Sequence, residues 1–482
     1  MTNITTPISN QPCSLYIICC IELFERFSFF GIRSLLVLYL IKHFGFSDVS
    51  AFNLYAAIMT LMYATSILGG MVADHLTGNA RALMLGSMII CIGYGFLLWG
   101  YRPTFYYGIS LVILGSGLFK PNITSVLGDL YNSGNSQLRD SGFTIFYTAI
   151  NIGAICAPLL CGYLAITHSW ILSFSLLFIS TLLASFLALY YYYNSEIIKI
   201  RTVIFSAKNL VLALLIIIGM MLLIEQLLIN LNHFKYLMSI IGIIALGLFA
   251  RIFVNSNKNE KITLIVLIML IIFSIFFFAL HEQSATSITL FFEHHAKREF
   301  LGFNFTTSQL QSFGPAFILI LGPILAWVWR YLTIKRKEPT EVVKFSFSYI
   351  FTSLCFILLV YTIAAHLKTN TQVPMLFIFI YFSFYTLAEL CLAPVGLAIT
   401  TKLAPQKHSS TIVSFWFLAI SFGHYLSGYI AQLAAIPQKA GLSLEIDIYQ
   451  QAFLYISIFS LCLSILLLIM NPLLNKLQRI YK

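Results

Sequence analysis

Residues 21–33 read IELFERFSFFGIR, four ionisable side chains (Glu22, Glu25, Arg26 and Arg33) inside a run that is otherwise apolar from residue 15 to residue 42. Whether that run crosses a bilayer decides the fold. The rest of the chain answers the question: of 482 residues, 59% are hydrophobic and only 9% charged, where a soluble domain carries about a quarter charged residues. Apolar runs recur to the end of the sequence, near the ~20 residues that cross a bilayer core as a helix. Fourteen spans are expected, at 15–42, 50–74, 82–100, 104–131, 142–167, 170–193, 203–230, 234–254, 262–287, 308–332, 345–366, 374–403, 411–436 and 449–474. Most connections between them are short, so the chemistry is expected inside the membrane.

The opening residues MTNITTPISNQP lack the basic region and cleavage site of a signal peptide, and the first helix is expected to be retained. Placing both termini in the cytoplasm puts Arg81, Arg139, Lys199, Arg201, Lys208, Arg251, Lys258, Lys261, Lys335, Arg336, Lys337, Lys344, Lys402 and Lys407 inside. With the basic residues of the C-terminal tail, these far outnumber outside ones such as Lys42, Arg102, Lys297, Arg298 and Lys368, which satisfies the positive-inside rule for a multi-pass protein of the cell (inner or plasma) membrane. The net charge of +11 is then a matter of topology and calls for no nucleic acid. No obligate protein partner and no cofactor are implied. The nine cysteines, an odd number in or beside apolar spans, read as small buried hydrophobes. His294 and His295 in EHHAKREF are metal-capable but lack companion ligand spacing, so a solvated loop without metal is expected there.

Two sets of six spans flank a central pair. The expected organisation is an N-terminal six-helix bundle at 1–193, a linker with two extra transmembrane helices at 194–260, and a C-terminal six-helix bundle at 261–482, with a site between bundles as in transporters built from repeats. The linker reads as a membrane-facing hairpin in which Glu225 is the awkward residue, since a carboxylate against lipid is costly.

At about 100° per residue, Glu22, Arg26, Phe29 and Arg33 fall within a narrow arc, with Glu25 and Phe30 on its shoulders. A charge at the bilayer centre costs at least about 2.5–3.5 kcal/mol. Gathered on one face, these charges can pair and line a wet cavity. An ion cluster that only fixes packing is the competing reading, but buried ion pairs are often no more stabilising than apolar replacements. Other spans add Lys120, Glu282 and Glu389. A cavity with cations from the first half and carboxylates from both suits a zwitterion held at its two ends.

ELFERFSFFGIRSLLVLYL, GLFKPNITSVLGDLY, GFTIFYTAINIGA and ELCLAPVGLAITTKLAP together resemble the signatures of the proton-dependent oligopeptide transporter (POT/PTR) family, and GGMVADHLTGNAR resembles the loop between the second and third helices of the wider major facilitator superfamily. The resemblance runs from the first helix to the eleventh. It implies a major facilitator fold with two extra helices between the halves, and a symporter importing di- and tripeptides with protons by alternating access. By resemblance, Glu22, Glu25 and Arg26, with Glu282, serve proton coupling. Arg33 with Glu282 would close an outside gate and Lys120 with Glu389 an inside gate. Arg26, Asn151 and Glu389 match positions that hold peptide termini. Tyr63, Trp416 and Trp327 match aromatic positions near the cavity, the tryptophans less firmly, since Trp is also a common interface anchor.

The departures from the family pattern bear on the substrate. Phe29 and Phe30 stand where the family usually has two tyrosines, Gly314 where it usually has Asn, and Ala393 where Ser is common. A pocket with fewer hydroxyl and amide groups favours dipeptides over tripeptides, or another small zwitterionic or amphipathic non-peptide substrate, carried inward or outward. His281 beside Glu282 either joins a proton relay or stays neutral and hydrogen-bonded. Gly115, Gly117, Pro121, Pro315 and Pro394 offer points where helices can bend. A channel would need polar rings along a continuous pore, and an enzyme a nucleophile with an ordered base or a metal set. Neither pattern is present, and no enzymatic activity is expected.

Overall fold

A computed structural model describes residues 11–131, 136–194, 207–405, 408–438 and 440–479. Residues 1–10, Lys199, Arg201 and Lys407, used above for topology, lie outside the described residues. A backbone surrounded by hydrocarbon must satisfy its own polar groups, and the chain does so with helices. They are α1 (Cys13–Lys42), α2 (Asp48–Val72), α3 (Asn79–Leu97), α4 (Arg102–Asp129), α5 (Ser136–Thr167), α6 (Trp170–Asn194), α7 (Ala207–Ile229) and α8 (Leu231–Asn255). There follow α9 (Lys258–His281), α10 (Ser287–His295), the single turn α11 (Thr307–Leu310), α12 (Phe313–Ile334), α13 (Glu341–Ala365), α14 (Met375–Leu403), α15 (Ser409–Ala431) and α16 (Leu442–Arg479). Each of the fourteen expected spans corresponds to a helix. Among the described residues, twelve are long and apolar enough to cross a membrane; the other two expected spans are α1, with its four charges, and α7, whose sequence is apolar from Leu210 to Ile229 apart from Glu225 and Gln226.

The chain forms two compact units, one of residues up to Leu36 with Leu61–Asn230, the other of Val37–Thr60 with Leu231–Lys482. In the first, small residues let backbones touch: a Cβ on Gly93 of α3 would lie 2.7 Å from the carbonyl oxygen of Gly108 on α4. The side of α1 opposite its charges is fixed by hydroxyls. Tyr94 Oη donates to Ser28 O (2.8 Å), Ser28 Oγ to Leu177 O (3.0 Å) and Ser180 Oγ to Phe24 O (2.7 Å). Phe24 and Ser28 lie about half a turn around the helix from Glu22 and Arg26, so these bonds aim the charged face. α7 packs along α4, and Glu225 near its end is 7% exposed. The linker carboxylate is therefore enclosed by protein, not turned to lipid.

In the second unit, α13 and α16 run antiparallel with serines in register. Ser346 Oγ meets Ser464 Oγ at 2.7 Å and Ser353 Oγ meets Ser457 Oγ at 3.0 Å, interhelical hydrogen bonds of the kind that join helices where lipid supplies no hydrophobic drive. The first half of α2 belongs here: Ser421 Oγ donates to Thr60 O (3.1 Å), and a Cβ on Gly428 would come within 2.7 Å of Ala56. α8 rests on α15 through Phe249–Phe415 and Phe234–Tyr425, ring centres 6.0 and 5.6 Å apart. Only 11% of the apolar stretch of α8, and of α11–α12, is buried, against 72% for α4, which makes them the least buried of the candidate spans among the described residues. The expected span at 262–287 does not end where its apolar run does. α9 closes at His281 in a 3-10 turn, Glu282–Ala285, Thr286 breaks the helix with φ −122° and ψ −100°, and α10 continues to His295. His294 and His295 are thus the last turn of a helix, a correction to the loop expected there. Their chain neighbours are polar, but Ile288, Leu290, Phe291 and Phe292 of the same helix are buried and carry the histidines with them.

Candidate functional site

In the first unit α1 presents the cluster anticipated from its periodicity. Arg26 Nε donates to Glu25 Oε2 at 2.6 Å and lies 3.3 Å from Glu22 Oε1, and all three residues are at most 7% exposed. One guanidinium thereby serves two carboxylates, the arrangement that lets neither stand as a bare buried charge. Lys120 arrives from α4. Its ammonium nitrogen is buried without a hydrogen-bond partner among the described residues, and sits 4.3 Å from the ring centre of Phe29 and 4.4 Å from that of Tyr63. The Arg26 guanidinium carbon is 4.8 Å from the same Phe29 ring, within cation–π range. Phe30 meets Phe29 edge-on at 5.2 Å, and Arg33 is half-buried one turn beyond Phe29. Phe29, read above only as a lost hydroxyl, is a platform on which two cations rest. Asn151 on α5 is buried, its amide nitrogen donating to Tyr147 O at 2.9 Å.

The second unit carries two linked carboxylates. Glu282, at the start of the 3-10 turn, accepts a hydrogen bond from Tyr55 Oη (3.0 Å), and its Oε2 is 3.5 Å from His424 Nδ1 on α15. His281 stacks on Tyr385 of α14, rings 3.8 Å apart and 17° from parallel, and brings its Nε2 to 3.6 Å from Glu389 Oε2. Tyr385 Oη in turn accepts from Ser284 Oγ at 3.1 Å. Each carboxylate thus has a histidine within 3.6 Å, His424 at Glu282 and His281 at Glu389. A Cβ on Gly314 would meet the Tyr385 ring at 3.5 Å, an ordinary contact, and the Gly314 carbonyl accepts from Thr386 Oγ1 (3.2 Å).

The tryptophans separate. Trp416 is 3% exposed and wedged against Gly396, where a Cβ would fall 1.9 Å from the indole, so it belongs to the packed core of its unit. Trp327 is 65% exposed and stacks on Tyr331, ring centres 5.8 Å apart. Ala393 is half-buried on α14. Tyr55, Tyr385 and His424 are site residues that the sequence reading did not single out. An ionisable side chain within the otherwise uncharged SFGHYLSGY run of α15 was the available signal for His424. For Tyr55 and Tyr385, two among 26 tyrosines, there was none.

A family model described as the POT family matches residues 80–449. The chain belongs to the POT family. Over 97% of its length it is 31% identical to an uncharacterised transporter, YclF, of Bacillus subtilis (strain 168), covering 95% of that protein. Dipeptide and tripeptide permease A of Proteus mirabilis (strain HI4320) is 29% identical over 97% of this chain and 96% of its own length. Among solved structures, the crystal structure of peptide transporter POT in complex with sulfate matches with a TM-score of 0.85 at 28% identity, covering 97% of this chain and 96% of that one. The fold is accordingly the major facilitator fold of POT transporters, and the protein is a multi-pass membrane transporter, not an enzyme.

Proposed function

We propose that the chain imports short peptides together with protons by alternating access. The observation that carries this reading is the buried Glu22–Glu25–Arg26 cluster beside Lys120, a cation with aromatic faces but no hydrogen-bonded counter-ion among the described residues. A substrate carboxylate supplies what Lys120 lacks, and Arg26 becomes available to the same carboxylate when a proton replaces it on Glu25 or Glu22. Proton and substrate are then linked through one guanidinium. Similarity to a dipeptide and tripeptide permease supports a peptide as the zwitterion.

In the proposed cycle Arg33 with Glu282, and Lys120 with Glu389, act as alternating gates. Asn151 and Glu389 receive the peptide termini, and the two six-helix bundles joined by the linker at 194–260 are the moving parts. In this reading both termini are cytoplasmic, which the bias of basic residues toward the loops on that side supports. Each proton entering with a neutral zwitterion carries about 2.3 kcal/mol per 100 mV of membrane potential, enough for appreciable accumulation. The gates must bind substrate and proton differently in the two states, since a ligand shifts an equilibrium only by its differential affinity.

Proteoliposomes with an inward proton gradient test the reading. Labelled dialanine should accumulate in vesicles bearing the wild-type chain. Vesicles bearing Glu25→Gln should exchange dialanine without accumulating it. Absence of accumulation by folded wild-type protein would redirect the search to non-peptide zwitterions.

A further inference from the structure

We infer that His294, His295 and Glu445 form a binding site for a divalent transition-metal ion, with zinc the best chemical match. His294 Nδ1 and His295 Nε2 lie 2.8 and 3.0 Å from the same carboxylate oxygen, Oε1 of Glu445. The three donor atoms all fall within 4.8 Å of one another. A tetrahedral zinc ion, with bonds of about 2.0–2.2 Å to nitrogen and oxygen, holds its donors roughly 3.3–3.5 Å apart. Both imidazole nitrogens must draw back from Oε1 by about half an ångström, and the widest donor pair must close by up to about 1.5 Å, changes within reach of side-chain rotation. Two imidazoles and a carboxylate are borderline ligands that suit zinc better than magnesium or calcium.

The site is built on fixed elements. His295 closes α10, is 5% exposed, and its carbonyl accepts the Val373 N–H at 2.9 Å, tying the helix end to the segment before α14. Glu445 comes from the first turn of α16. One turn further along, Tyr449 sets its ring edge-on to His295, centres 5.7 Å apart. Its hydroxyl is fully buried and has no hydrogen-bond partner among the described residues, the kind of orphan that a bound ion or its water satisfies. Asp48, at the start of α2, is within electrostatic reach of both His294 and Glu445, but its Oδ2 already accepts the Ile436 N–H at 3.0 Å, so water is left to complete the coordination. Glu293, next in sequence, is excluded: Lys42 at 2.5 Å and Arg298 at 2.6 Å already hold it. His294 is 44% exposed at the side chain, which leaves the ion a way in. None of these groups takes part in the proposed peptide cycle.

Purified full-length protein, stripped with chelator and reconstituted in nanodiscs, is titrated with Co2+ and then Zn2+. Wild type should give the intense visible absorption of tetrahedral Co2+, bleached by a single equivalent of Zn2+. Glu445→Gln and His294→Gln should each weaken binding at least about tenfold, the scale of losses on disturbing a metal shell. His233→Gln, an exposed histidine on α8, should leave it unchanged. His294→Gln alters a part-exposed side chain and guards against a fold failure in Glu445→Gln, with dialanine binding confirming that each variant is folded. An octahedral, weakly absorbing Co2+ spectrum overturns the assignment, as does a loss of less than tenfold in folded His294→Gln.

Discussion

The ammonium nitrogen of Lys120 rests 4.3 Å from the ring centre of Phe29, while the Arg26 guanidinium approaches the same ring to 4.8 Å. A tyrosine-to-phenylalanine change on α1 therefore removes hydroxyl groups without removing the ring that shelters two cations.

Replacing Phe29 by leucine keeps the apolar volume but takes away both cation–π contacts, worth about 0.5–2 kcal/mol each. Phe29→Leu is expected to lower the thermal midpoint of the purified protein, and Phe29→Tyr to leave it near wild type. Fluorescence melting of the two variants side by side checks this; equal midpoints for Leu and wild type would remove the platform role.

The missing hydroxyls should show in substrate choice. A peptide amide buried without a partner costs about 1–3 kcal/mol, so trialanine should compete with labelled dialanine less well than dialanine itself. The double variant Phe29→Tyr, Phe30→Tyr should narrow that gap. Competition curves for both peptides on both proteins decide the matter, and equal inhibition of the wild type by the two peptides contradicts it.

His281 stands between Tyr385, on which it stacks at 3.8 Å, and Glu389 at 3.6 Å. Histidine is the side chain that titrates between about pH 5 and 8, and Glu389 gives its proton somewhere to go. His281→Gln should alter the shape of the uptake profile inside that window while preserving dialanine exchange. A superimposable profile would assign His281 to packing alone.

Gly396 leaves room for the indole of Trp416, which an added Cβ would meet at 1.9 Å. Both lie in the packed core of the second unit, where overpacking costs about 1–3 kcal/mol. Gly396→Ala should lower the thermal midpoint, and Trp416→Phe in the same chain should recover part of the loss. A double-mutant cycle measures that coupling.

Glu338 lies between α12 and α13, outside the spans, where Lys344 Nζ at 2.6 Å and then Thr333 Oγ1 at 2.6 Å hold its carboxyl below its usual value of 4.5. A depressed folded-state value means that the unfolded chain takes up the proton first. The stabilisation is present above about pH 4.5 and fades as pH falls through the depressed value. The side chain is 39% exposed, so solvent and salt screen the effect. Glu338→Gln should lessen the decline of stability with acid below pH 4.5, measured as thermal midpoint against pH at low salt.

The charged face of α1 was legible in the sequence because four ionisable residues in an apolar span must share a side, and helical geometry says which side. The spans themselves were legible by length and hydropathy, and their ends less so: the break at Thr286, with φ −122° and ψ −100°, falls inside a continuous helical sequence that has no Gly or Pro to announce it. The partners of Glu282 were hidden for another reason. Tyr55 lies 227 residues away along the chain, is neutral, and is one of 26 tyrosines. In the same way His294 and His295 could be read only with their neighbours in sequence, whereas Glu445 reaches them from 150 residues downstream.

Residues Val37–Thr60 cluster with the chain from Leu231 onward, and this bears on how the polypeptide can be cut. A fragment starting at Leu231 would lack the Tyr55 hydroxyl that binds Glu282, the Thr60 carbonyl that receives Ser421, and the Ala56 methyl seated against Gly428. Co-expressed halves divided at Asn230 must therefore find each other before the later half can finish folding.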